Sequence, residues 1–145
     1  MILRRVRAGE LLALIGAACV IVALLEPWYE GPIGRLDAWD TFGPTIVLLI
    51  ASASAALALV ISTLTERSPG LPVSLGVWNV LLGLIAAIAA VVRLLERPDH
   101  STSLCSGPWL ALAGALAILA GSWQSIRDER TSLYEPARPE PRPRP

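Results

Sequence analysis

Lysine is absent from this chain, histidine occurs once, and cysteine occurs only as Cys19 and Cys105. Each shortage removes a class of explanation. The two thiols show no Cys-x-x-Cys spacing and cannot build a disulfide scaffold, so neither a zinc-type motif nor a cross-linked secreted domain fits. Asp37, Asp40, Asp99, His100 and Cys105 are side chains able to gather a metal, yet no two show a recognised ligand spacing, and His100 reads as an exposed loop residue. Twelve acidic residues balance twelve basic ones, all of them arginine. That balance implies no nucleic-acid partner and no acidic ligand, and the all-arginine usage reflects coding composition rather than recognition. No charge lies near the centre of any long apolar run, which argues against a proton or ion pathway. No nucleophile, base and orienting group occur together, so the expectation is a protein without enzymatic activity and without cofactors.

What the chain has in abundance is apolar surface: 54% of its 145 residues are hydrophobic, more than a water-soluble core of that size absorbs. A helix needs about 20 apolar residues to cross roughly 30 Å of hydrocarbon. Four uncharged runs qualify: Leu11 to Leu25, Gly43 to Leu64, Leu71 to Val92 and Gly107 to Ile126. With their flanks the spans cover about 9–26, 43–64, 71–95 and 107–127. The first is short unless Glu10 snorkels toward the headgroups. Hydrocarbon offers no hydrogen-bond partner, so each run must satisfy its own backbone; barrel strands would alternate polar and apolar, and these do not. The expected fold is therefore all-α, a single four-transmembrane-helix bundle over residues 1–130.

Arginine sets the orientation. Arg4, Arg5, Arg7, Arg67, Arg127, Arg130, Arg138, Arg142 and Arg144 fall on one side, against Arg35, Arg93 and Arg97 on the other. The positive-inside rule then places both termini in the cytoplasm, N-in and C-in. A cleaved signal peptide is the rival for span one, with Gly16-Ala17-Ala18-Cys19 as a lipoprotein-like cleavage site. Cleavage there would leave the apolar Val20 to Leu25 at the new terminus and discard half a span.

Pro27, Gly31, Pro32 and Gly34 interrupt the connection from Glu26 to Phe42, which is expected to form an ordered turn or short irregular cap. Ser68-Pro69-Gly70 makes the next connection tight, so spans two and three are antiparallel neighbours. The connection from Glu96 to Ser106 is polar. Residues 131–145, proline-rich with arginine and glutamate from Glu135 onward, are expected to form a disordered cytoplasmic tail.

Within this frame a few residues stand out. Trp28, Tyr29, Trp39, Phe42 and Trp109 lie at the outer ends of spans, where an aromatic belt at the headgroups is the expectation. Gly76, Asn79, Gly83, Ala86, Ala90, Arg93 and Arg97 share one face of span three, a small-residue seam suited to close helix packing. Span one offers Leu12, Gly16, Cys19, Ala23 and Glu26, and span four Gly114, Ala117 and Gly121. Glu26 and Arg93 end two of these seams and form the candidate ion pair, with Glu96 competing for the arginine. Asn79, the most polar residue well inside a span, is expected to hydrogen-bond a neighbouring helix, while Ser52, Ser54, Ser62 and Ser74 can bond their own helices. Cys19 fits as a small seam residue; Cys105 is placed to link two copies.

The stretches Gly9-Glu10-Leu11-Leu12-Ala13-Leu14, Glu26-Pro27-Trp28-Tyr29, Ala38-Trp39-Asp40-Thr41-Phe42, Leu71-Pro72-Val73, Arg93-Leu94-Leu95 and Gly107-Pro108-Trp109-Leu110 through Gly121-Ser122-Trp123 resemble a group of small four-span membrane proteins of GC-rich bacteria for which no activity is known. The likeness covers roughly residues 8 to 130. It implies the topology and a multi-pass place in a bacterial cytoplasmic membrane, and nothing about mechanism. Claudin-like proteins also carry a tryptophan after span one but follow it with paired cysteines, which this connection lacks. Small multidrug transporters place a glutamate within span one, whereas Glu10 sits at its edge. The expected partners are the lipid bilayer and either further copies or another membrane protein. The leading expectation is a scaffold, accessory subunit or self-associating component; a small transporter or channel with a polar seam on span three is the alternative.

Overall fold

The computed structural model describes residues 8–32, 34–41, 43–65, 70–97 and 101–132. Four long helices dominate it: α1 (Ala8–Leu25), α3 (Gly43–Thr65), α4 (Gly70–Leu95) and α5 (Gly107–Ser132). All four are long and apolar enough to cross a membrane. Between α1 and α3 lie β1 (Pro27–Gly31), β2 (Gly34–Asp37) and the single-turn α2 (Ala38–Thr41); β3 (Ser103–Leu104) precedes α5.

Proline marks where helices start and stop. Pro44 and Pro108 each occupy the first turn of a helix, where the missing N–H has no helical partner to lose. Pro27 lies two residues past the end of α1 and disfavours a helical conformation in Glu26, the residue before it. Beyond the expected span, α5 continues to Ser132, so the first two residues assigned to the tail are helical. Residues 133–145 and the arginines before α1 lie outside the described residues.

The helices close into a ring in which α1 packs on α3 and α5, and α4 on α3 and α5. The core is built of small residues, among them Ala13, Ala17, Ala53, Ala56, Ala86, Ala90, Ala111 and Ala115, with Val20, Leu49, Leu59 and Ile118 filling the wider places. The α1–α5 contact is the tightest. A Cβ added at Gly9 would lie 2.6 Å from the Gly121 carbonyl oxygen, and one at Gly16 would lie 2.6 Å from that of Gly114. The reciprocal additions at Gly114 and Gly121 meet the backbone of Gly16 and Gly9 in turn. Backbones at this distance gain dispersion contacts that no larger side chain permits, which is what holds helices together where lipid offers no hydrophobic drive.

The seam expected on α4 is buried at Gly76, Asn79, Gly83, Ala86 and Ala90, and opens toward solvent at Arg97. On α1 the buried face is displaced from the expected stripe: Gly9, Ala13, Gly16, Ala17, Val20, Ala23 and Leu24 turn inward, while Leu12 and Cys19 are half-buried. Glu10 is only 3% exposed, covered in the turn where α5 lies against α1 instead of snorkelling outward.

The connection expected to be a turn or irregular cap is a small antiparallel sheet in the order β2-β1-β3. Tyr29 pairs with Leu36 on one side and Leu104 on the other, and Glu30 with Arg35 and Ser103. Gly34 closes the hairpin at φ 133°, a conformation open to glycine and strained for any other residue.

Candidate functional site

The sheet sits over the end of the bundle where α1 and α4 finish and α3 and α5 begin. A bulge on β1 between Pro27 and Tyr29 makes Trp28 the extra residue in the pairing with β2. Strand residues ordinarily alternate faces; the bulge re-aims one of them, so the consecutive Trp28 and Tyr29 are both fully buried. Each then terminates a helix. Glu26 N–H bonds the Val22 carbonyl at 3.1 Å, and Trp28 Nε1 donates to the next carbonyl, that of Ala23, at 2.7 Å. At the end of α4, Glu96 N–H bonds the Val92 carbonyl at 2.7 Å, and the Tyr29 hydroxyl donates to that of Arg93 at 2.6 Å. Ala23 and Arg93 are among the last four residues of their helices, whose carbonyls lack intrahelical donors. Two adjacent aromatic residues thus cap two helices.

This corrects the expected aromatic belt. Trp28 and Tyr29 are inside the protein because their polar edges serve helix ends, while Trp39 and Trp109, 60% and 59% exposed, remain outward; Phe42 lies outside the described residues. Gly107 is required here, since a Cβ on it would lie 2.5 Å from Trp28 Cδ1. Burial raises the Tyr29 pKa above its ordinary 10.0, with the positive charges of Arg93 and Arg97 opposing that rise.

The second half of the cap comes from the segment before α5. Thr102 N–H and Oγ1 both bond the Glu30 carbonyl, Ser103 Oγ bonds Glu30 Oε2 at 3.1 Å, and Cys105 N–H bonds the Trp28 carbonyl at 3.0 Å. Glu26 and Arg93 take separate partners in this region. Ser106 Oγ donates to Glu26 Oε2 at 3.1 Å, and Arg93 Nε donates to Thr45 Oγ1 at 3.3 Å. Cys19 and Cys105 are free thiols, each half-buried. Among the described residues no three His, Cys, Asp or Glu side chains gather to hold a metal; Asp99 and His100 lie outside them.

Deeper in the bundle, away from the cap, stands Asn79, fully buried. Its Nδ2 donates to the Ala55 carbonyl of α3 at 2.9 Å, the interhelical bond that its seam position suggested. Among the described residues its Oδ1 has no partner, and neither does Oγ of Ser122 on α5, which sequence reasoning passed over. Serine in an apolar helix ordinarily bonds a carbonyl one turn back, as Ser52 and Ser62 do to Leu49 and Leu59 at 2.8 and 2.7 Å, so nothing in the sequence distinguishes Ser122. An apolar groove of about 550 Å³ opens sideways between α4 and α5, lined by Val80, Leu116, Leu119, Ala120 and Trp123.

No protein-family model, curated protein or solved structure matches this chain. What stands is an integral membrane architecture of four apolar helices with an ordered cap at one end.

Proposed function

We propose that this is a non-enzymatic bacterial cytoplasmic-membrane protein, a scaffold or accessory subunit that holds its β-cap rigidly outside the membrane, both termini being cytoplasmic. The observation that supports this reading best is the pair of aromatic caps. Trp28 and Tyr29 fix the sheet to the ends of two different helices, so the cap cannot tilt independently of the bundle. Exposed Glu30, Arg35, Asp37, Trp39 and Asp40 then form a polar surface with one large apolar ring, the composition of a contact face. The glycine seams are closed within one chain at Gly9, Gly16, Gly114 and Gly121, which favours a companion subunit over self-association through those seams. A photo-crosslinking residue at Trp39, compared with one at lipid-facing Val47, tests this in native membranes. A discrete adduct from position 39 alone supports it; adducts from neither position, or equally from both, refute it. Reporter fusions that place either terminus outside would refute the orientation.

A small transporter or channel is the second reading, and the observation favouring it is the pair of unpartnered buried oxygens on Asn79 and Ser122. Solute flux into proteoliposomes that disappears in Asn79→Leu would establish it.

A further inference from the structure

Asn79 and Ser122 belong to the same level of the α4–α5 interface. A Cβ at Gly76 would lie 3.0 Å from Ile126 Cγ1, and one at Gly83 would lie 3.1 Å from the Leu119 nitrogen. Asn79 is three residues past the first of these α4 positions and four before the second. Ser122 is three past Leu119 and four before Ile126. In antiparallel helices such offsets put both side chains midway between the same two contacts, on the faces that meet. Both residues are 0% exposed.

The amide orientation of Asn79 is fixed by chemistry. Only its Nδ2 can donate to the Ala55 carbonyl, so Oδ1 is an acceptor that needs a donor. Ser122 Oγ, which neither donates to nor accepts from any group of the described residues, can both donate and accept. Two buried polar atoms without protein partners at one level of a closely packed seam supply two of the two to four hydrogen-bonding groups that an internal water requires. From this juxtaposition we infer that α4 and α5 hold one water molecule between Asn79 Oδ1 and Ser122 Oγ. The water donates one proton to Oδ1 and exchanges a hydrogen bond with the serine hydroxyl, completing a polar link from the Ala55 carbonyl of α3 through Asn79 to α5.

The composition of the chain makes the test direct, because Asn79 is its only asparagine and Gln124 its only glutamine. In lipid bilayers, protein labelled with 15N at these two side-chain amides gives two NH₂ signals, and magnetisation transfer from water to each is followed by solid-state NMR. Gln124, exposed and three residues from the end of span four, serves as the reference for contact with water at the membrane surface. The inferred site gives Asn79 a transfer that is measurable but several-fold slower than that of Gln124. Ser122→Ala reduces it at least threefold, while Ser52→Ala, whose hydroxyl bonds its own helix, leaves it unchanged. Absence of transfer to Asn79 in the unsubstituted protein overturns the inference, since Ser122 must then bond Oδ1 directly or the space is dry. Transfer as fast as that of Gln124 overturns it in favour of an open aqueous route, and transfer unaltered in Ser122→Ala overturns the bridge. The measurement on the unsubstituted protein decides the first two outcomes even where a variant fails to fold.

Discussion

The hydroxyl of Tyr29 donates to the main-chain carbonyl of Arg93, 64 residues further along, at 2.6 Å. That single bond joins the strand after α1 to the last turn of α4, and it satisfies a carbonyl that the helix itself leaves open. Tyr29→Phe keeps the buried ring and removes only the donor. The expected cost is about 1 kcal/mol, in the ordinary range for a hydrogen bond whose loss strands its partner. Denaturation in detergent measures it; an unchanged midpoint would mean that the cap rests on packing alone.

The same hydroxyl gives a pH signature. Its pKa is raised by burial, so the folded chain holds the proton at pH values where an unfolded chain has begun to release it. Below about pH 10 both states are protonated and the shift contributes nothing. As pH climbs past 10.0, the unfolded state binds fewer protons than the folded state and stability falls. With Tyr134→Phe, Tyr29 is the only tyrosine left, and ultraviolet titration of phenolate should show it ionising later in folded protein than in denatured protein.

Close approach of α1 and α5 predicts an asymmetry among glycines. Gly16→Ala or Gly114→Ala forces backbone apart where no flexible side chain can yield, and should cost about 1–3 kcal/mol, the usual range for overpacking. Gly43→Ala, with open space around its Cβ, should fall within about 0.5 kcal/mol of the parent. Thermal unfolding of the three variants side by side checks the ordering.

Glu26 and Arg93 provide a test of local chemistry. Their neighbours are Ser106 and Thr45, and coupling should follow those contacts. A double-mutant cycle on Glu26→Gln and Ser106→Ala is expected to return at least about 0.5 kcal/mol of interaction, and one on Glu26→Gln and Arg93→Gln less. The reverse ranking would restore the direct ion pair.

The four helices were legible because hydropathy is a property of each residue alone, and Pro44, Pro108 and Pro27 mark boundaries without reference to tertiary structure. The phase of α1 was harder to read. In lipid, a face turned to the bundle and a face turned outward are both apolar, so only size separates them. Ala13, Ala17, Ala18 and Cys19 make span one small on most sides, and the stripe through Leu12 and Cys19 looked as good as the one that is buried. The sheet was hidden for other reasons. A bulge at Trp28 erases the alternation that reveals a strand, and β3 is two residues long, recruited from the connection between α4 and α5. Asn79 was visible as an amide in an apolar run. Ser122 was not, because its distinction is a bond that it does not make.

Asn79 itself supplies the sharpest prediction about the bundle interior. Leucine at this position is bulkier than asparagine and removes two things together: the bond from Nδ2 to Ala55, worth about 0.6 kcal/mol and rarely above 1.7 between membrane helices, and the Oδ1 acceptor, which no described protein group bonds and which must order a water to be satisfied. Those terms oppose each other, and the added bulk in a closely packed seam leaves Asn79→Leu with a net cost of about 1–3 kcal/mol. Aspartate is a different case. It keeps the shape but presents a carboxylate oxygen to the Ala55 carbonyl in place of an N–H, turning attraction into repulsion and burying a charge. Removing one partner in this way costs about 3–5 kcal/mol unless the acid takes up a proton. Asn79→Asp should therefore be less stable than Asn79→Leu at neutral pH and recover on acidification as the carboxyl protonates and can donate to Ala55. Equal stability of the two variants at neutral pH would place the side chain in water instead of in a closed seam.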